Sequence, residues 1–176
     1  MTVQAAALTR FNELPGDAAA QELAAVCAAT AWATAMAAGR PYATVGDAQA
    51  QSDAAVGALS VDDLAEALAG HPRIGERPAA GKPVQQQSAG WSRQEQAGVD
   101  AADAVTIVSL AEGNAVYEQR FGHIYLVCAA GRTGAELLAI LRKRLSNDDE
   151  TEWNVVRTEL GKINQIRLTE LLGKQV

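Results

Sequence analysis

The chain has 176 residues, of which 48% are hydrophobic, and it carries a net charge of −6. A chain of this length can bury most of its apolar surface in one core, so we expect a single domain that spans residues 1–176. Its basic residues are scattered along an acidic chain, which argues against nucleic acid as a partner. Its apolar stretches all fall short of the roughly 18 residues of a membrane span, which argues against a membrane as well.

Helical spacing of apolar residues recurs along the chain, and abundant Ala, Leu, Glu and Gln favour helix further. The alternation typical of strands is nearly absent, so the pattern predicts an all-α fold. Only His123–Cys128, where β-branched and aromatic residues cluster, is expected to form a short strand or an extended segment. The predicted helices cover residues 5–14, 17–39, about 44–58, 60–70, roughly 93–119, 133 onwards, and 147 to about 172.

Local signals mark the ends of these helices. Asp17 is expected to cap a long Ala-rich helix that ends at Gly39, and Gly70 is expected to end another helix in the left-handed conformation. The basic run Arg142-Lys143-Arg144 is expected to form a solvated face. Capping boxes, in which a hydroxyl and a carboxylate satisfy helix amides, are predicted at Ser60–Asp63, Ser92–Glu95 and Thr133–Glu136.

The remaining aromatic and sulfur-bearing residues are expected to be structural. Cys27 and Cys128 lie far apart, each inside an apolar run that suits a small buried thiol. Trp32, Trp91 and Trp153 are too widely spread for a stacking platform and are expected in the core. The chain shows no phosphate loop, dinucleotide fingerprint or Cys/His cluster, so we expect neither a metal nor a cofactor.

His71 is one of only two histidines, and it opens a Pro- and Gly-rich stretch of about twenty residues without periodicity. A long irregular stretch in a compact domain is usually functional. Pro72 keeps the backbone of His71 out of the helical region just after a predicted helix. This placement points the imidazole into a cleft, and the negative end of the preceding helix dipole favours its protonated form, which suits a proton donor. An exposed histidine that caps the helix end fits the same pattern.

Two further groups could bind a polar ligand. Ser92, Glu95 and Gln96 would stand at a helix N-terminus, where they could contact a ligand or simply cap the helix. Arg167 could receive a carboxylate, because a guanidinium that faces a helical interior needs an anion or several acceptors. A snorkelling arginine or an internal ion pair is the alternative. Arg167 falls on the apolar stripe of Val156, Leu160, Ile163 and Leu171.

Taken together, five ordered fragments resemble one enzyme family, the 2-oxo-4-hydroxy-4-carboxy-5-ureidoimidazoline (OHCU) decarboxylases. The resemblance covers nearly the whole chain, and the order of the fragments makes it specific. The fragments are Phe11-Asn12-Glu13-Leu14-Pro15, His71-Pro72-Arg73-Ile74-Gly75, Ser92-x-x-Glu95-Gln96-Ala97-Gly98, Tyr117-x-x-Arg120-Phe121-Gly122-His123-Ile124-Tyr125 and Glu159-x-x-Lys162-Ile163-x-x-Ile166-Arg167-Leu168.

The resemblance implies a cofactor-free bundle of about seven to nine helices that converts OHCU to (S)-allantoin, the third step of urate degradation. It implies that His71 is the catalytic acid or base and that Glu95 orients it or shares the proton transfer. Ser92, Gln96 and Arg167 would bind the substrate. The ring would be lined by Pro72, Phe121, Gly122, His123, Ile124 and Tyr125. The resemblance gives no role to Arg73.

The resemblance also implies a homodimer, with OHCU and allantoin as its small-molecule ligands. Peroxisomal relatives end in a targeting tripeptide, whereas this chain ends in Lys174-Gln175-Val176, so a cytoplasmic location is expected. Two other functions stay open. One is a hydrolase of a related ureido or cyclic amide compound, which would need an activated water. The other is a helical interaction module without catalysis.

Overall fold

A computed structural model of the chain describes residues 3–75 and 102–173. These residues form eight helices and no strand, which confirms the all-α prediction. None of the described helices has both the length and the apolar content needed to cross a membrane. The helices are α1 (Val3–Glu13), α2 (Gly16–Val26), α3 (Thr30–Ala38), α4 (Val45–Ala58), α5 (Val61–Ala69), α6 (Ala104–Phe121), α7 (Gly134–Arg144) and α8 (Asp149–Gly173).

The chain divides into two compact units, the first formed by residues 1–67 and 160–176. In this unit α2 packs on α3, and α3 packs on α4. Trp32 is fully buried, as expected, and its indole donates a hydrogen bond of 3.2 Å to the hydroxyl of Ser52. Gln49 of α4 donates to Thr169 of α8 at 2.9 Å. The unit therefore joins the N-terminal helices to the C-terminal half of α8.

The predicted long helix over residues 17–39 is wrong, because α2 ends at Val26 and α3 begins at Thr30. The carboxylate of Glu66 accepts hydrogen bonds from the Thr30 amide at 3.1 Å and from the Thr30 hydroxyl at 2.6 Å. It thereby satisfies the N-terminus of α3, while Cys27 adopts an extended backbone. Asp17 lies inside the first turn of α2 and is not its cap, which is Pro15.

Two other helix ends differ from prediction. Gly70 does not adopt the left-handed conformation. At the end of α5 the His71 amide donates a hydrogen bond of 3.0 Å to the Leu68 carbonyl. Residues 102 and 103 fall within the helix predicted over roughly 93–119 but are not helical, and α6 begins at Ala104. Asp103 instead caps α6 by accepting a 2.9 Å hydrogen bond from the Thr106 amide.

The predicted capping boxes Ser60–Asp63 and Thr133–Glu136 are confirmed, with reciprocal bonds in each. The box predicted at Ser92–Glu95 lies outside the described residues. Gly122 ends α6 with a φ of 76°, which favours glycine. Local signals of this kind correctly predicted the starts of α5 and α7.

The second unit, residues 68–159, encloses a segment that is buried but not helical. Residues 125–129 are each 8% exposed or less, yet they pair with no strand among the described residues. A buried backbone needs hydrogen-bond partners. Charged side chains provide them: Arg144 donates to the Leu126 carbonyl at 2.6 Å, and Glu159 accepts from the Cys128 amide at 2.8 Å.

The run Arg142-Lys143-Arg144 was predicted to form a solvated face. For Arg144 this prediction is wrong, because the residue is only 4% exposed. It follows Leu137 and Leu141 at helical spacing and so points into the core. Its guanidinium donates to one carboxylate oxygen of Glu152 at 2.5 and 2.8 Å. The hydroxyl of Tyr117 also donates to Glu152, which has no exposed surface. Burial raises the pKa of Tyr117, so this hydroxyl keeps its proton.

We expect Arg144→Met to lower the free energy of unfolding by about 3–5 kcal/mol, because it leaves the Glu152 carboxylate buried without its cation. The double variant Arg144→Met/Glu152→Met should recover part of this loss, since no charge then stays in the core. Urea denaturation followed by circular dichroism measures both values.

The exposed pair Arg10–Glu22 provides the control, since its side chains are 44% and 27% exposed. Arg10→Gln should cost less than about 1 kcal/mol, as is usual for surface pairs. A loss in Arg144→Met no larger than that in Arg10→Gln would contradict the account of the buried pair.

Candidate functional site

The stretch His71–Gly75 follows α5 and forms a turn that is anchored at both ends. At its start the His71 amide bonds to the last turn of α5. Towards its end Gly75 adopts a φ of 82°, a left-handed value that a side chain would strain. His71 and Pro72 are half-buried, whereas Ile74 is 6% exposed and belongs to the core. His71 thus stands at the edge of a packed core and not on an open surface.

Helix α6 holds the same turn through two polar side chains that the sequence analysis did not single out. Asn114 donates to the Ile74 carbonyl at 2.8 Å, and Glu118 accepts two bonds from Arg73. Hydrogen bonding to Arg73 lowers the pKa of Glu118. A signal for Asn114 was present, since it lies four residues after Leu110 and three before Tyr117 on an apolar stripe. The same reasoning had singled out Arg167.

The segment 121–125, which begins at the last residue of α6 and which the resemblance assigns to the substrate ring, is arranged around aromatic contacts. Phe121 packs on Tyr117 with ring centroids 4.7 Å apart. His123 lies against Trp153 at 4.2 Å and against Tyr117 at 5.4 Å. Trp153 is thus half-buried beside a histidine and is not fully in the core. Burial lowers the pKa of His123, which favours the neutral imidazole.

Hydrogen bonds orient the polar groups of this segment. The Nδ1 atom of His123 lies 3.0 Å from the Ile124 carbonyl, so Nδ1 carries the proton and Nε2 is the acceptor. Ile124 is half-buried and Gly122 is exposed. Tyr125 is 2% exposed, and its hydroxyl donates to the Leu137 carbonyl at 3.1 Å. Tyr125 therefore packs in the core with its hydroxyl already engaged.

The His71–Gly75 stretch and the segment 121–125 both contribute side chains to one hydrophobic cluster. Ile74, Tyr117 and Tyr125 are buried members of this cluster, and Phe121 packs against it. The two segments are separated in sequence by the whole of α6, so only the fold places them together. Both belong to residues 68–159.

Arg167 belongs to the other unit, where it is 2% exposed, as the apolar stripe predicted. This burial excludes a snorkelling arrangement. Its guanidinium donates at 3.0 Å to the carbonyl of Val26, at the C-terminus of α2. Burial raises the pKa of the neighbouring Cys27 thiol, and the amide of Asn164 and the charge of Arg167 oppose that rise. Cys27 and Cys128 are both buried and free, as expected.

Three predicted site residues, Ser92, Glu95 and Gln96, lie outside the described residues, as does Trp91. Within the described ranges, no group of three or more His, Cys, Asp or Glu side chains is arranged to hold a metal ion. Within residues 68–159 the structure describes His71, Pro72 and the segment 121–125, and Arg167 is described separately as part of the other unit.

Comparison with known proteins gives consistent matches. The family model for OHCU decarboxylase matches residues 12–169. The chain is 30% identical to the 2-oxo-4-hydroxy-4-carboxy-5-ureidoimidazoline decarboxylase of Amia calva, over 84% of this chain and 80% of that protein. It is 34% identical to a uric acid degradation bifunctional protein of Arabidopsis thaliana, over 65% of this chain but only 35% of that longer protein.

A solved structure is similar as well. The crystal structure of an OHCU decarboxylase in the presence of (S)-allantoin matches with a TM-score of 0.74 and 29% sequence identity. The match covers 87% of this chain and 98% of the chain in that crystal.

The lowered pKa of His123 predicts how pH affects stability. The unfolded chain binds a proton at its ordinary pKa near 6.5, whereas the folded chain binds one only at lower pH, so stability is lost as pH falls through this interval. His123→Phe should remove this dependence, since Phe keeps a planar aromatic ring beside Tyr117 and Trp153 but has no group that titrates. We expect wild type to lose stability relative to the variant from pH 7.5 to pH 5.0. Parallel urea titrations test this, and a constant difference would contradict it.

Proposed function

Because the chain belongs to the OHCU decarboxylase family, whose model matches residues 12–169, we propose that it decarboxylates OHCU to (S)-allantoin in the degradation of urate. The match over residues 12–169 is the observation that carries the proposal. It includes both segments that pack on the cluster around Tyr117. In reaction class the enzyme would be a carboxy-lyase, which breaks a carbon–carbon bond.

The chemistry of this substrate sets what the protein must do. One ring carbon of OHCU bears both a hydroxyl and a carboxylate. When the bond to the carboxylate breaks, carbon dioxide leaves and the electron pair passes into the adjacent C=N or C=O group of the ring. A proton must then return to one face of that carbon. Positioned donors can stabilise the anion, and an acid of suitable pKa can deliver the proton.

We assign the proton transfer to His71, which would first contact the hydroxyl and then protonate the ring carbon. Its place at the edge of the core supports this role, because a half-buried imidazole can be held in one orientation. Glu95 would hold the tautomer of His71. Arg167 would meet the polar or anionic end of the substrate, together with Ser92 and Gln96.

The ring itself would be lined by Pro72 and by the segment 121–125. Phe121 and His123 offer aromatic faces there, with the neutral His123 presenting Nε2 as an acceptor. Gly122 would let the backbone approach the ring closely, since it has no side chain. In this assignment Tyr125 supports the wall from the core, because its hydroxyl is already bonded to Leu137.

The broader description of the enzyme follows the resemblance. We propose that residues 1–176 act as one OHCU decarboxylase-like domain, supported by the single match over residues 12–169. We further propose that the enzyme works without a cofactor, as a cytoplasmic homodimer. Symmetric dimers are the commonest assemblies of soluble enzymes, and sedimentation equilibrium would measure the mass of this one.

The decisive experiment generates OHCU from urate in the cuvette and follows circular dichroism. Uncatalysed decarboxylation gives a planar anion that is protonated on both faces alike, so its product is racemic. We expect the protein to accelerate the reaction and to produce an optically active product. Racemic product at the uncatalysed rate would refute the proposal.

His71→Asn should lower the rate of optically active allantoin formation by about 10²–10⁴-fold, the range usual for losing a general acid or base. Glu95→Gln should lower it as well, because the His71 tautomer would no longer be held. Both variants should keep the helical circular dichroism of wild type, which shows that the loss is chemical. A near wild-type rate in either variant would disprove this assignment.

Two measurements separate the other functions. A hydrolase with an activated water would contain stoichiometric metal after purification, which elemental analysis detects. An interaction module would gain no thermal stability from millimolar allantoin, whereas an enzyme that binds its product does. We expect no stoichiometric metal and a rise in melting temperature with allantoin.

A further inference from the structure

We propose that Arg73, Glu118 and Asn114 form a clasp that holds the His71 imidazole in its working orientation. This inference deepens the proposed function, because it rests on His71 being the catalytic acid or base. The three are positioning residues: they act on the His71 backbone and need not touch the substrate. The clasp is defined by its two connections, Arg73 to Glu118 and Asn114 to Ile74.

The first connection is a two-point ion pair. The Nε atom of Arg73 lies 2.5 Å from one carboxylate oxygen of Glu118, and Nη2 lies 2.9 Å from the other. Two parallel bonds between a planar guanidinium and a carboxylate fix direction as well as distance. Lysine, with a single ammonium, cannot reproduce this geometry. The pair therefore holds the Arg73 side chain in a defined position against Glu118 of α6.

The second connection is buried. Asn114 is 4% exposed and donates at 2.8 Å to the carbonyl of Ile74. Asn114 and Glu118 are four residues apart on α6 and so lie on the same face of that helix. Consecutive residues of the turn, Arg73 and Ile74, are thus bonded to consecutive turns of α6. The side chain of Ile74 adds packing in the cluster with Tyr117.

These connections leave His71 little freedom. On its N-terminal side the His71 amide is bonded to Leu68. On its C-terminal side comes Pro72, whose ring fixes its own φ and restricts the backbone of His71. Arg73 follows directly, held by Glu118. Loss of the clasp would remove two of the described contacts that oppose rotation of the turn.

A misplaced acid reduces the rate of proton transfer more than it reduces substrate affinity. Displacements of about 1 Å in a reacting group can cost up to about 100-fold in rate. Binding would change little, because the residues assigned to substrate binding are not part of the clasp. The clasp therefore predicts a fall in kcat with a nearly constant KM.

The pair Arg10–Glu22 is a closely matched control. It has two bonds of 2.6 and 2.9 Å, and its side chains are 44% and 27% exposed, the same values as Arg73 and Glu118. Removing either pair should therefore change stability by a similar small amount. Only removal of the Arg73–Glu118 pair should change catalysis.

We expect Arg73→Gln and Glu118→Gln each to lower kcat by about tenfold with KM within about twofold of wild type. Arg10→Gln should leave both constants unchanged. Arg73→Lys should give an intermediate kcat, and the exchanged pair Arg73→Glu/Glu118→Arg should recover most of the rate by restoring the opposite charges. Equal kcat in Arg73→Gln and Arg10→Gln would overturn the proposal.

An NMR measurement tests the clasp without relying on activity. The chain has two histidines, so the ring signals of His71 are identified by their loss in His71→Asn. In Arg73→Gln the His71 ring signals should shift and its ring order parameter should fall, while those of His123 stay constant. Unchanged His71 signals would overturn the proposal. If wild type lacks decarboxylase activity, the proposed function fails while this comparison still decides whether the clasp orders His71.

Discussion

Arg144 brings a positive charge into the core of the second unit, where it is only 4% exposed, and several described groups of that unit compensate it. Its guanidinium contacts the Glu152 carboxylate, the Leu126 carbonyl and the rings of Tyr117 and Tyr125. Buried charges are tolerated only when such partners are present. The same contacts keep the irregular segment 125–129 in the core, which leaves residues 121–124 at its edge. The proposed ring-binding segment thus owes its position to an ion pair that takes no part in the reaction.

Helix α6 connects this core to the proposed catalytic turn. One face carries Tyr117 into the cluster, and the same helix presents Asn114 and Glu118 to the turn after His71. A single rigid element therefore sets the positions of the imidazole and of the aromatic wall. Pre-organisation of this kind favours the proposed proton transfer, because the reacting groups are already held in position.

The sequence predicted those features that arise from residues close together in the chain. The boxes at Ser60–Asp63 and Thr133–Glu136 depend on neighbours only three positions apart. The break after Val26 depends on Glu66, 36 positions beyond Thr30, and no local signal announces it. Arg73 similarly depends on Glu118, 45 positions away. Arg144 was misread because a basic run was given more weight than the helical spacing from Leu137. The residues proposed for the site come from family motifs, which record long-range constraints that a single sequence does not display.

The burial of residues 125–129 has a consequence for the unfolded chain. Tyr125-Leu126-Val127-Cys128 is uncharged, rich in strand-forming residues and free of proline, which is the composition of segments that stack into cross-β aggregates. In the folded protein Arg144 and Glu159 bind its backbone and thereby withdraw it from pairing with another strand. Charged residues that oppose aggregation usually flank such a segment in the sequence. Here the two charged side chains come from helices α7 and α8 and bind the segment inside the core. Unfolding therefore exposes an aggregation-prone segment and, in the same step, breaks the two side-chain contacts that keep its backbone from pairing.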